Sequence, residues 1–187
     1  MQDIPREIIM QASHGDMQAF EKIYKATSGF VYSVARRMLR SDDDAQDVVQ
    51  EVFLKIHRNL KSFRFQSSFT TWVYRITANT AINAYRRIAK ELSRRGNYDY
   101  ALATESAPNN TRVSIEQKDA EGVVASLLAT LNPDQRACII LREIQGLRYD
   151  EIAASLGINI NTVRSRLKRA RQALMACRTS EVTDDEL

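Results

Sequence analysis

YDEIAASLGININTVRSRLKRARQAL, residues 149–174, decides the fold. A short apolar-periodic segment stops at Gly157, a turn of Ile158 and Asn159 follows, and a long basic segment begins. Short helix, glycine turn and longer basic helix make a helix-turn-helix. Set at 100° per residue, Val163, Leu167, Ala170 and Leu174 fall within an arc of about 60°, the buried edge of the second helix. Ser165, Lys168, Arg169 and Gln172 lie opposite within about 100°, flanked by Arg164, Arg166 and Arg171. Hydrogen-bond donors in the centre with cations at the sides suit base edges and phosphates respectively. The helix start at Asn161 and Thr162 adds free backbone amides that favour a phosphate. Between Asn161 and Arg178 there is no acid, whereas a merely solvated helix face normally mixes signs at i, i+4.

Upstream the same helical periodicity continues, and no segment alternates with period two. Asn132-Pro133 predicts a helix start, an N-cap followed by proline at the first position, with the helix ending at Gly146. Before it, Val123, Val124, Leu127, Leu128 and Leu131 predict a helix resuming at Ile115. Ile139, Ile140, Leu141 and Ile144 exceed what one face of a small unit needs, so most are core and one edge is left over. Residues 115–178 thus read as a four-helix domain. Residues 93–114, SRRGNYDYALATESAPNNTRVS, lose all amphipathic period and read as a flexible linker. Stretched, it reaches about 75 Å, roughly two turns of B-DNA.

Residues 1–92 predict a separate helical domain. Two short helices break at His14-Gly15-Asp16. Phe30, Val31, Val34, Ala35, Met38 and Leu39 form one apolar stripe. Ala45, Val48, Val49, Val52, Phe53 and Ile56 form the next, behind Ser41 as N-cap. The last helix, Phe69 to Leu92, is expected to bury Phe69, Trp72, Val73 and Ile76. Thr71, Arg75, Asn79, Ile82 and Arg86 then share an outward arc of about 80°. The fold class is therefore all-α: two small helical domains joined by a linker, the second carrying the helix-turn-helix.

Composition fits this reading. The chain has 187 residues, 44% apolar and 27% charged, with a net charge of +4 that hides strong segregation. Asp42, Asp43, Asp44, Asp47 and Glu51 crowd one helix, the cations crowd residues 161–178, and 179–187 is an acidic tail. Such separation points to distinct surfaces for distinct partners, one of them polyanionic. No apolar run approaches the roughly 20 residues of a membrane span, and the N-terminus lacks a secretory pattern. A cytoplasmic protein without membrane insertion is expected. Cys138 and Cys177 read as reduced packing thiols, and no cofactor, metal site or catalytic constellation is indicated. One reading of these features is a dimeric helix-turn-helix transcription regulator, which accounts for residues 132–178 and leaves the first domain unexplained.

EIQGLRYDEIAASLGININTVRSRLKRARQAL (143–174) is similar to the promoter −35-binding region of bacterial sigma factors. DDDAQDVVQEVFLKI (42–56) and FRFQSSFTTWVYRITANTAINAYRR (63–87) resemble their core-binding and −10-binding segments. With only a short linker between the two domains, the pattern resembles the extracytoplasmic-function (ECF) type. The chain departs from the family at Arg148, where Ser or Thr is common, at Asn161, where Gly is common, and at Gln46, often Glu. The resemblance implies a non-enzymatic initiation factor that recruits core RNA polymerase to promoter DNA. It implies −35 contacts from Asn161, Thr162, Arg164, Ser165, Arg166, Lys168, Arg169, Arg171 and Gln172. For the −10 element it implies the loop residues Phe65, Gln66 and Ser67, pocketing a flipped base, with Thr71, Arg75, Asn79, Asn83 and Arg86. Asp43, Asp47, Gln50, Glu51 and Leu54 would dock on the β′ clamp helices, and the leftover apolar edge of the second domain on the β flap tip. An anti-sigma factor is the expected regulator.

Overall fold

The computed structural model describes residues 4–39, 41–94 and 115–184, the side chains of 115–121 and 177–184 excepted. Residues 95–114 of the expected linker and the side chains of Cys177, Arg178 and the acidic tail lie outside the described residues. Everything regular among the described residues is helical.

The first unit comprises α1 (Arg6–Ser13), α2 (Met17–Leu39), α3 (Asp42–Asn59), a 3-10 turn (Leu60–Ser62) and α4 (Phe69–Arg94). Asp16 starts α2, its carboxylate accepting from the Gln18 and Ala19 amides. The sequence suggested two helices between residues 17 and 39, but α2 runs straight through Ser28-Gly29. A mid-helix glycine costs only about 1 kcal/mol, which burial of Thr27 and Val31 on either side offsets. Ser41 caps α3 as predicted, accepting the Asp44 amide at 3.3 Å. Val31, Val34, Ala35, Met38 and Leu39 of α2 meet Ala45, Val48, Val52, Phe53 and Ile56 of α3 in the core.

The second unit comprises α5 (Ile115–Ala129), α6 (Pro133–Ile139) continuing as a π-helical turn (Ile140–Ile144), α7 (Tyr149–Leu156) and α8 (Ile160–Asp184). Asn132 and Gln135 form a full capping box at the start of α6. Gly157 ends α7 at φ +65°, the left-handed conformation that favours glycine at a helix C-terminus. The α8 helix passes its expected end near Arg178 and continues to Asp184. In α5, Leu128 and Leu131 at its end are buried, but Val123 and Val124 face outward at 58% and 44% exposure.

The two units pack on each other, which no periodicity foretells. Helices α6 and α7 lie against α4, so α4 is covered on a second side. Ile82, expected to face outward, is buried for this reason, as are Tyr74 and Ala78, while Trp72 and Ile76 are only half-buried. Burial pushes the Tyr74 phenol up, and the Glu151 carboxylate of α7 adds to the shift. Arg136 of α6, only 2% exposed, donates to the carbonyl of Met38 in the last turn of α2 at 2.7 Å. A carbonyl there lacks an intrahelical partner, so a guanidinium is an apt cap. The same group donates to the Ala129 and Leu131 carbonyls at 3.2 Å each and stacks 4.8 Å from the Tyr85 ring. One cation thus ties the end of α5, α6 and two helices of the first unit.

Candidate nucleic-acid interface

Asn159 holds the entry to α8, its side chain accepting the Asn161 amide at 2.8 Å and its carbonyl the Thr162 amide at 2.9 Å, so the two amides expected to be free for a phosphate are engaged. At α7 the missing hydroxyl cap is replaced from the other direction. Glu151 accepts the Arg148 backbone amide at 2.7 Å, and the Arg148 guanidinium lies 3.4 Å from Asp150 and 3.6 Å from Glu151. With both helices fixed, Val163, Leu167 and Ala170 are wholly buried and Leu174 half-buried. That orients the rest of α8. Asn161, Arg164, Lys168, Arg169, Arg171 and Gln172 are exposed, and Thr162, Ser165 and Arg166 are half-buried at the margins.

Several of these side chains are engaged. Asn161 accepts from Arg164 at 3.0 Å, which organises the helix start. Arg171 donates to Glu143 at 2.7 Å and approaches the Tyr149 hydroxyl at 3.5 Å, and these bonds raise its pKa above the ordinary arginine value. Arg166 lies 3.3 Å from Asp134, the carboxylate that also takes Arg86 of α4 at 2.8 Å. One acid therefore faces a cation from each unit.

On α4, Arg75, Asn79, Asn83 and Arg86 are exposed, so both asparagines are open to solvent although only Asn79 was expected on the outward arc. The Thr71 hydroxyl shares a 2.7 Å hydrogen bond with Ser68, whose oxygen also accepts the Thr71 amide. Thr71 is thus part of the helix start. In the preceding loop Gln66 and Ser67 are exposed, while Phe65 is half-buried. Phe63 is the hub of an aromatic cluster, with ring centroids 4.8 Å from Phe65, 5.5 Å from Phe69 and 5.1 Å from Trp72. Phe65 has φ +56°, a conformation held by no other described non-glycine residue.

The acidic face of α3 divides. Asp47, Gln50 and Leu54 line a groove of about 920 Å³ between α2 and α3, with Tyr24, Tyr32 and Phe53 forming much of its apolar wall. Leu54 is 49% exposed. Asp43 is exposed outside this groove, and Glu51 pairs at 2.6 Å with Lys55 of the same helix, which donates to Thr80 of α4. Tyr24 and Tyr32 carry no signal in the acidic motif because they belong to α2, far from it along the chain. In the second unit Ile139, Ile140 and Leu141 are buried and Ile144 remains 37% exposed, the leftover edge.

Residues 23–91 match the family described as Sigma-70 region 2, and residues 122–174 match Sigma-70, region 4. The chain is 38% identical over 179 residues to the ECF RNA polymerase sigma-E factor of Escherichia coli strain K12, covering 89% of this chain and 90% of that protein. It is 32% identical over 182 residues to the RNA polymerase sigma-H factor of Pseudomonas aeruginosa, covering 92% and 93%. Among solved structures it resembles CnrH in complex with the cytosolic domain of CnrY, with TM-score 0.70 and 26% identity over 94% of this chain and 97% of that one. It also resembles the sigma factor RpoE in complex with the anti-sigma factor NepR from Bartonella quintana, with TM-score 0.64 and 26% identity over 84% and 94%. No described helix is long and apolar enough to cross a membrane. The chain belongs to the sigma-70 family as an ECF-type sigma factor, a transcription initiation factor and not an enzyme.

Proposed function

We propose that this sigma factor reads the −35 element with the exposed face of α8 and the −10 element with α4 and its preceding loop. Arg164, Lys168, Arg169 and Gln172 would centre on the duplex, with Asn161, Thr162, Ser165, Arg166 and Arg171 around them. The observation that carries this is the orientation of α8: Val163, Leu167 and Ala170 have no exposure at all, so its donors project together from the opposite side. The domain limits follow the sequence reading: 1–92 for polymerase and −10 binding, 115–178 for −35 binding.

At the −10 element, the exposed Arg75, Asn79, Asn83 and Arg86 would offer polar and cationic groups along α4, following the loop of Phe65, Gln66 and Ser67. Amides, aromatic rings and cations are what unpaired bases and their phosphates require. For core polymerase, Asp47, Gln50 and Leu54 in the α2–α3 groove support docking on the β′ clamp helices, and the exposed Ile144 edge supports docking on the β flap tip. A basic amphipathic helix fits an apolar groove with an acidic rim, which fixes orientation as well as attraction. The complexes named for CnrH and RpoE support control by an anti-sigma factor here too. The factor would work beside polymerase in the cytoplasm.

The test is selection of −35 sequences by reconstituted holoenzyme. Arg169→Ala is expected to relax preference at a subset of −35 positions while −10 preference stays. An unchanged −35 preference for Arg169→Ala and for Lys168→Ala would refute the assignment of α8.

A further inference from the structure

Helix α1 lies outside the stretch matched to region 2, which begins at residue 23. It is anchored by Ile9 and Ala12, both buried, and packs against α2 and the 3-10 turn at Leu60–Ser62. Its first residue, Arg6, places its guanidinium carbon 4.5 Å from the centroid of the Phe65 ring. Among the described residues no acid pairs with Arg6. The cation is therefore spent on an aromatic ring in the loop that bears exposed Gln66 and Ser67.

Phe65 is itself in an unusual state. A left-handed backbone at a non-glycine residue costs on the order of 1 kcal/mol, so something must hold it. Two contacts do so: the Phe63 ring at 4.8 Å and the Arg6 guanidinium. A planar cation on a phenyl ring leaves its hydrogen-bonding edge free and adds a flat surface. Such stacked pairs of arginine and aromatic rings suit a nucleobase, and the charge suits the adjoining phosphate. An acidic peptide would need no flat ring beneath the cation.

We propose that Arg6 is a further DNA-contacting residue, completing with Phe65 and Gln66 the site for one extruded base of the melted promoter strand. The proposal rests on the reading of the 63–68 loop as a base-binding element. Arg6 serves twice, holding Phe65 in its left-handed conformation and presenting a cation to the phosphate beside the base.

The experiment uses holoenzyme reconstituted from core polymerase and the full chain. The probe is a fluorescent single-stranded oligonucleotide carrying the −10 sequence of a promoter that this holoenzyme transcribes. Arg6→Leu preserves apolar packing on Phe65 but removes the charge. It is expected to weaken binding about tenfold, as for loss of a desolvated cation–π partner and its phosphate contact. It should also lower the slope of log affinity against log salt by about 0.7, one phosphate contact on a single strand. Arg6→Lys is expected to restore the salt slope but not the full affinity. Gln66→Ala tests the underlying reading separately. If Gln66→Ala weakens binding while Arg6→Leu leaves affinity and slope unchanged, the loop reading stands and the proposal for Arg6 is overturned. If neither Gln66→Ala nor Phe65→Ala has any effect, the loop reading itself falls. A role of Arg6 as a mere staple is identified by Arg6→Leu behaving as wild type with Arg6→Gly alone impaired, and that also overturns the proposal.

Discussion

Replacing Asp134 by Asn should strengthen promoter binding even though it removes native interactions. The carboxylate lies 2.8 Å from Arg86 and 3.3 Å from Arg166, one cation proposed for each promoter element. The side chains concerned are 55%, 25% and 31% exposed for Arg86, Arg166 and Asp134, so each pair is worth only about 0.2–1 kcal/mol. Asp134 also occupies the first turn of α6, where a negative charge gains about 0.3–1 kcal/mol from the helix dipole. Shared partners make these contributions less than additive. Asp134→Asn should thus cost the fold about 1–2 kcal/mol, a drop of roughly 2–8 °C in Tm for a chain of this size. On DNA the same change acts with the opposite sign. Two cations no longer leave an acid to meet phosphates, and one negative charge is removed from the interface. Relief of one to two such pairs corresponds to roughly a three- to tenfold gain in affinity. The assay is competition binding of holoenzyme to a complete promoter at several salt concentrations, with Glu21→Gln, exposed on α2, as a charge-matched control. Promoter affinity that is unchanged or weakened by Asp134→Asn, with helicity intact, would refute the reasoning.

Arg169→Ala should weaken −35 binding by about 1–3 kcal/mol, measured by competition against duplexes with single −35 substitutions. Leu54→Glu should impair holoenzyme assembly, read by co-elution with core polymerase; Glu51→Lys, which the acidic motif alone singles out, should impair it less because Glu51 lies outside the groove and is paired with Lys55. Arg136→Met should destabilise the chain by about 1–3 kcal/mol in urea unfolding, since three carbonyls lose a charged donor. Burial pushes the Cys138 thiol up to about 11. A thiol with its folded pKa above the unfolded one contributes stability in full below about pH 8.5, the ordinary thiol value, and loses it as pH rises towards 11. Peptide mapping after alkylation at pH 8 should therefore find Cys138 unmodified in the folded chain and modified in urea.

The helix-turn-helix and the α2–α3 core were legible because each helix has one apolar stripe with an end signal beside it. Gly157, Asn132-Pro133 and Ser41 mark ends through local chemistry that needs no tertiary partner. Failures came where a helix has two covered sides or none. A wheel for α4 assumes a single core face, so it turned Ile82 outward, although α6 and α7 pack on that helix. Val123 and Val124 satisfy a helical period yet stay exposed. The groove was half visible: Asp47, Gln50 and Leu54 recur on α3, but Tyr24 and Tyr32 join them only through folding. Arg136 and Arg6 carried no local signal at all. The partner of one lies 98 residues away in the chain, and that of the other is a loop phenylalanine defined by its backbone angle.

The most direct measurement is run-off transcription from a genomic fragment library with sigma-free core polymerase, with and without this chain. Initiation is expected only when the chain is added, from start sites sharing two upstream motifs at a fixed spacing. No initiation, together with saturable binding of the chain alone to an inverted repeat as a dimer, would contradict it.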